Sequence, residues 1–196
     1  MATVYPASAH RVMPWKNGGG STSEILLYPA QAGIDDFAWR ISLATIASPG
    51  PFSSFPGISR TLALVDGAGV DLHFEAHSVA LRPDGQRLLR FAGAAAVHAT
   101  LVAGSTTDFN VMTRDTLARH SCQIWQLDGQ LTWHSSAPAA FLFVQQGRVQ
   151  CQTSGSAGVS RMLERHDSLL LEQGESCQLQ GQACVYAVEF WPQEGA

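Results

Sequence analysis

Long apolar runs, basic clusters, paired-cysteine motifs and helical periodicity are all missing from this 196-residue sequence. No apolar stretch reaches the roughly 20 residues that a membrane-spanning helix needs, so no membrane partner is expected. Met1 to Val12 holds no apolar h-region of the kind that directs secretion. Only 14% of residues are charged, and the 12 Lys and Arg are scattered among 16 Asp and Glu, for a net charge of −4. A nucleic-acid surface needs clustered positive charge, so that partner is not expected either. Cys122, Cys151, Cys177 and Cys184 lie in strand-like surroundings with no Cys-x-x-Cys spacing, and read as reduced thiols in or near a core. A cytoplasmic location is the expectation that fits these absences.

What the sequence does hold is β-structure. Short runs with β-branched and aromatic residues recur between Gly, Pro, Asp and Ser. Strands are expected at His10–Trp15, Thr22–Tyr28, Trp39–Ala47, Thr61–Val65, Val70–Phe74, Ser78–Leu81, Leu88–Phe91, Val97–Val102 and Phe109–Thr113. The rhythm repeats at Cys122–Leu127, Leu131–His134, Ala140–Gln145, Val149–Gln152, Ser168–Leu171, Cys177–Leu179 and Cys184–Trp191. One helical turn is expected at Ile34–Phe37, a breaker-rich surface loop at Ser48–Gly57, and a mobile Gly/Ser-rich loop at Thr153–Ser160. Many short strands at even spacing imply a sandwich or barrel. A weak internal repeat favours two copies: Leu64-Val65 with Val70 parallels Phe143-Val144 with Val149, and Gly93, Ala95, Val97 and Ala99 parallel Gly181, Ala183, Val185 and Ala187.

The densest chemistry lies in Trp15-Lys16-Asn17-Gly18-Gly19-Gly20-Ser21-Thr22-Ser23-Glu24-Ile25. Three successive glycines suit a hairpin loop needing positive φ, and equally a loop that contacts a ligand. It is not a Walker phosphate loop, because Lys16 precedes the glycines and a strand-like run follows them. His73 and His77 would share a face on a helix, but on the strand that Gly69–Leu72 leads into they stand roughly 13 Å apart. They read as the tip of a hairpin, and no metal or other cofactor is expected. No Gly-x-Ser-x-Gly elbow or motif-marked cysteine nominates a nucleophile, so no catalytic residue is assigned.

Polar residues also alternate with large apolar ones in Trp39-Arg40-Ile41-Ser42-Leu43 and in Asp108-Phe109-Asn110-Val111. Plain alternation between core and water explains any one of them. Inside a small barrel, however, the inward face can line a hollow. Lys16, Arg40 and Arg60 would then supply positive charge, with Asn17, Thr22, Ser42 and Asn110 as neutral hydrogen-bond groups, for a small anionic metabolite.

These residues resemble the HutD/Ves family, bicupin proteins linked to histidine utilisation and stress response. The resemblance runs through Met13-Pro14-Trp15-Lys16-Asn17-Gly18-Gly19-Gly20-x-Thr22-x-Glu24-Ile25 and Trp39-Arg40-Ile41-Ser42. It continues through Gly50-Pro51-Phe52-Ser53-x-Phe55-Pro56-Gly57-x-x-Arg60 and Asp108-Phe109-Asn110-Val111-Met112. It implies an all-β, double-stranded β-helix fold (cupin, RmlC-like jelly roll) with two stacked barrels in one chain, over residues 1–115 and 116–196. The Gly-x5-His-x-His-x3-4-Glu pattern of many metal-binding cupins is missing. The implied activity is metal-independent binding of a carboxylate, formyl- or formiminoglutamate-like, in an accessory or regulatory role in histidine or amino-acid catabolism. The ligand-binding set is Trp15, Lys16, Asn17, Thr22, Glu24, Arg40, Ser42, Phe52, Arg60, Asp108 and Asn110. Two alternatives stay open: an isomerase or hydrolase with Glu24 or Asp108 as general base, and a structural or partner-binding cupin. Association of two copies through edge strands is a further expectation.

Overall fold

The computed structural model describes residues 1–154, 158 and 160–193. Residues 155–157 and 159 of the loop expected at Thr153–Ser160 lie outside that range. In chain order the strands are β1 (Thr3–Tyr5), β2 (Arg11–Pro14), β3 (Gly20–Tyr28), β4 (Trp39–Ile46), β5 (Gly50–Pro51), β6 (Ile58–Asp66), β7 (Val70–His73) and β8 (Ser78–Leu81). They continue as β9 (Leu88–Ala92), β10 (His98–Leu101), β11 (Thr106–Arg114), β12 (Ala118–His134), β13 (Ala139–Thr153), β14 (Ser160–Leu163), β15 (Ser168–Glu172) and β16 (Ser176–Pro192). Among the described residues the only helical element is a 3-10 turn at Ala7–Ala9; the turn expected at Ile34–Phe37 is not helical.

The chain forms two compact units. One is Arg11–Ala118; the other joins Met1–His10 to Arg119–Ala196. The first ten residues therefore belong with the C-terminal part and not, as their place in the chain suggests, with an N-terminal barrel of residues 1–115. The reason is a long-range strand pairing that local pattern does not encode. Antiparallel β1 pairs β15 from Thr3↔Leu170 to Tyr5↔Ser168. The Ala2 amide donates to Glu175 Oε1 at 2.8 Å, and the Ala7 amide to Asp167 Oδ1 at 2.9 Å.

In the Arg11–Ala118 unit, a six-stranded sheet ordered β2-β3-β4-β11-β6-β9 faces a four-stranded sheet ordered β5-β10-β7-β8. Ile46, Leu62 and Leu64 of the first sheet share one core with Val70, Leu72, Leu81 and Ala99 of the second. The breaker-rich segment is strapped to this second sheet, since β5 pairs β10 and the Phe52 amide donates to the Val97 carbonyl at 2.9 Å.

In the other unit the sheet order is β1-β15-β13-β16-β12, with β14 beside β13. Here the expected pairs of short strands are single long ones. A bulge at Val144/Gln146 and Gly147 at φ 81° re-phase β13 without ending it, so β13 and β16 stay paired from Ala139↔Phe190 to Thr153↔Cys177. Leu142, Val144, Leu163, Leu171, Leu179 and Val185 fill its interior.

The repeat holds for architecture but not residue by residue. Val70 pairs Leu101, while Val149 pairs Gly181. If Val70 matches Val149, the counterpart of Gly181 is Leu101 rather than Gly93, so the second repeat block does not mark equivalent positions.

Candidate functional site

The registers of β3, β4, β11 and β6 stack three cross-strand rows on one face of the six-stranded sheet. Arg40, Met112 and Arg60 form one row, and Arg60 in turn pairs Phe91 of β9. Glu24, Ser42, Asn110 and Leu62 form the next, followed by Thr22, Ala44, Asp108 and Leu64. Because side chains alternate between faces, one strand phase brings all of them to the same side. Leu62 and Leu64 belong to the core between the two sheets, so this is the inward face.

A cavity of about 480 Å³ opens over these rows. Of the expected ligand-binding residues, Trp15, Lys16, Asn17, Thr22, Arg40, Phe52, Arg60 and Asn110 line it. Glu24, Ser42 and Asp108 do not. Glu24 stands behind Arg40 as its partner: the Arg40 Nε donates to Glu24 Oε2 at 3.1 Å. Ser42 and Asp108 are buried in the sheet face.

Several of the lining side chains are held by their neighbours. Trp15 Nε1 donates to Thr22 Oγ1 at 2.8 Å, which fixes the indole against β3. In the glycine loop, Asn17 Oδ1 accepts the Gly19 amide at 3.0 Å. Phe52 and Phe55 pack against apolar core residues and also flank a cation. The Arg60 guanidinium carbon lies 5.3 Å from the Phe52 ring centroid, 5.6 Å from Phe55 and 5.0 Å from Phe91. Such contacts stabilise a desolvated guanidinium by about 0.5–2 kcal/mol each.

The electrostatics of the two arginines differ. Both are only 7% exposed. Arg40 has Glu24 as counter-charge, whereas Arg60 makes, among the described residues, one hydrogen bond, from Nη2 to Asn110 Oδ1 at 3.4 Å, and no ion pair. Burial, and after it Arg40, lower the Arg60 pKa to about 10 against an upward pull from Asp108, so the group stays charged at neutral pH. Burial also lifts the Asp108 carboxyl to about 7, against a downward pull from Arg60.

Several lining residues were not anticipated. Ala44, Ile46, Leu62 and Met112 follow from carrying the strand alternation one step further. The Phe91 contact has no local signal, because it depends on β9 pairing β6. Elsewhere, His73 and His77 sit at the tip of the β7–β8 hairpin, where the His73 ring bonds Ser78 Oγ and Thr100 Oγ1, each at 2.9 Å. No group of three or more His, Cys, Asp or Glu among the described residues is placed to hold a metal ion. None of the four cysteines forms a disulfide, and among the described residues no helix is long and apolar enough to cross a membrane.

Comparison with known proteins places this geometry in a family. A Pseudomonas putida protein described only as an uncharacterized 21.2 kDa protein in the hutC 3' region is 33% identical over 177 residues, covering 88% of this chain and 90% of that protein. Protein Ves of Citrobacter koseri is 41% identical over 109 residues, 53% of this chain and 55% of that protein. Among solved structures, a conserved protein of unknown function from Pseudomonas aeruginosa PAO1 superposes with a TM-score of 0.88 at 34% identity, over 97% of this chain and 99% of that one. HutD from Pseudomonas fluorescens SBW25, in a formate condition, gives 0.82 at 30% identity, over 98% and 99%. At 11% identity the fold alone is shared with a bacterial pirin of Escherichia coli in complex with nickel(II), over 98% of this chain and 99% of that one, with a TM-score of 0.68. The fold is the cupin jelly roll, present twice. The HutD family model matches residues 7–187, most of both units, and the chain belongs to the HutD family.

Proposed function

We propose that the chain binds a small carboxylate-bearing metabolite in the cavity of the Arg11–Ala118 unit, through guanidinium and amide groups rather than a metal ion. The observation that carries this reading is Arg60: a buried cation on the cavity wall, caged by phenylalanines, with no ion-pair partner among the described residues. Burying a charge that no partner contacts directly is costly, and an anion arriving beside it recovers part of that cost. Arg40 adds a second guanidinium whose Nε is held by Glu24 while its terminal nitrogens make no bond to the described residues. Lys16 adds an exposed ammonium to the lining. This inventory suits a ligand with one or two carboxylates and a short apolar or amide linker. Formyl- and formiminoglutamate fit that description, and the hutC-region naming of the Pseudomonas putida relative supports an accessory or regulatory role in histidine breakdown. The general-base alternative has less support, because Glu24 is engaged by Arg40 and Asp108 is off the cavity lining.

Thermal shift and calorimetry with N-formylglutamate, N-formiminoglutamate and plain dicarboxylates test the reading. A ligand that binds only the folded state raises the melting temperature. Arg60→Ala is expected to weaken binding by roughly 30-fold or more, the loss typical of removing one partner from a buried charge pair. Absence of stabilisation by every carboxylate tried, or equal binding by Arg60→Ala, would rule the proposal out.

A further inference from the structure

Resting on the carboxylate reading above, one buried group still lacks a task. Asp108 is fully buried on β11, one row beyond Asn110 and two beyond the Arg40–Met112–Arg60 row. Neither of its carboxylate oxygens accepts a hydrogen bond from the described residues, and it forms no ion pair. The charged groups facing it are few. Arg60 comes from β6, and Arg40 with its committed partner Glu24 from β4 and β3. The facing strands β7, β8 and β10 contribute Val70, Leu72, Leu81 and Ala99 to this core. Among the described residues, Arg60 is thus the one cation acting on Asp108 that no other carboxylate has claimed.

We infer that Asp108 is the internal counter-charge of Arg60, and that a carboxylate entering the cavity replaces it in that role and is taken up together with one proton. The step balances simply: the ligand arrives as its anion, one proton comes from solvent, and the Asp108 carboxylate becomes a carboxylic acid while the ligand stays ionised beside Arg60. Two anions sharing one guanidinium in a dry interior repel, and Asp108 has no hydrogen-bond donor to hold its charge. The ligand, at the cavity wall, has Arg40 and Asn110 as well.

The sign of the pH dependence follows. Burial already holds the free-state Asp108 near 7, and an anion at Arg60 removes the pull that kept it from rising further. Well below pH 7 the acid is protonated with or without ligand, and affinity is at its highest. As pH rises through 7, binding must bring a proton along and weakens until the bound-state pKa is passed. Simple carboxylates titrate near pH 4 and stay ionised throughout.

The test is calorimetry of the intact chain with glutarate and with formate, in buffer pairs that differ in ionisation enthalpy. Expected at pH 8 is an uptake of about 0.4 to 0.8 proton per ligand, near zero at pH 6, with affinity about five- to twentyfold weaker at pH 8.5 than at pH 6.5. Asp108→Asn, of the same shape but unable to titrate, is expected to bind with no buffer dependence and a flat pH profile. Binding without proton uptake in the wild type, or an unchanged pH profile in Asp108→Asn, overturns the inference and leaves the carboxylate reading standing. If neither probe nor any other carboxylate binds, the underlying reading fails and the inference with it. Should Asp108→Asn not fold, the wild-type buffer series decides alone.

Discussion

At the scale of single residues, Arg60 and Asp108 are where this fold departs from an ordinary barrel core. The alternation of Arg40-Ile41-Ser42 and Asp108-Phe109-Asn110 in the sequence assigns each polar side chain to a face, and the registers of β4, β11 and β6 put those faces on the same side. What alternation alone cannot separate is a group that lines a hollow from one sealed beneath it. Asn110 and Asp108 are two apart on one strand, yet only Asn110 reaches the cavity. The distinction has a thermodynamic consequence. The folded-state pKa of Asp108, about 7, lies above the ordinary 3.8, so between those values the folded protein holds a proton that the unfolded chain has released. Stability from this group is therefore present at low pH and is lost as pH rises towards 7. Asp108→Asn is expected to gain on the wild type across that window and to be more stable at pH 8 by something on the order of 2 kcal/mol. Urea midpoints at pH 4.5, 6, 7 and 8 would show the gap opening. A variant less stable than wild type at pH 8 would mean that the ionised carboxylate is satisfied in a way the side-chain geometry does not provide.

At the scale of elements, the glycine run divides its labour. Only Gly18 has positive φ, at 71°, and a Cβ there would meet nothing within 4 Å. Gly20 begins β3 opposite Ile46, and a Cβ there would sit 2.1 Å from the Thr45 carbonyl oxygen and 2.9 Å from the Trp15 ring. One glycine answers to backbone conformation and the other to close approach of strand and indole. The sequence marks the run as special without saying which demand acts where, because close approach depends on β4, some 20 residues further on. Gly18→Ala should cost about 1 kcal/mol, the usual penalty for a left-handed residue, and leave carboxylate affinity within about twofold. Gly20→Ala should cost about 2–4 kcal/mol and weaken binding as well, because the Trp15 wall of the cavity must shift. Urea denaturation with calorimetry on both variants checks this. Equal effects would imply that Trp15 does not depend on Gly20 for its place. Element boundaries were legible where turn residues flank short strands, as at Ser78–Leu81. They were not where a bulge keeps one strand running through apparent breakers, as in β13.

At the scale of the molecule, two units of one fold have opposite interiors. Inward-facing pairs of β13 and β16, such as Leu142–Ala187 and Val144–Val185, are apolar on both sides and belong to a filled core. The corresponding layer of β6 and β11 reads Arg60–Met112, Leu62–Asn110 and Leu64–Asp108, a polar or charged partner in two rows and a guanidinium in the third. Two barrels were legible from strand rhythm, and the polar content of the first from alternation. That the inward pairs of the second barrel meet one another in a core was not, because an apolar strand face reads the same whether it meets other side chains or a void. Packing with apolar side chains stabilises, whereas a polar hollow does so only when occupied. Ligand binding should then report on one unit alone. With saturating glutarate, amides of β3, β4, β6 and β11 that exchange by local opening are expected to slow. Those of β13 and β16 that exchange by local opening should not, since they contribute nothing to the cavity. Hydrogen exchange with and without ligand resolves the two sets. Slowing of local exchange in β13 and β16 equal to that in β6 and β11 would place the ligand, or a second one, against the second unit, where Gly147, Arg148, Gln180 and Gln182 line a groove of about 680 Å³, and the assignment of binding to the charged barrel alone would have to be abandoned.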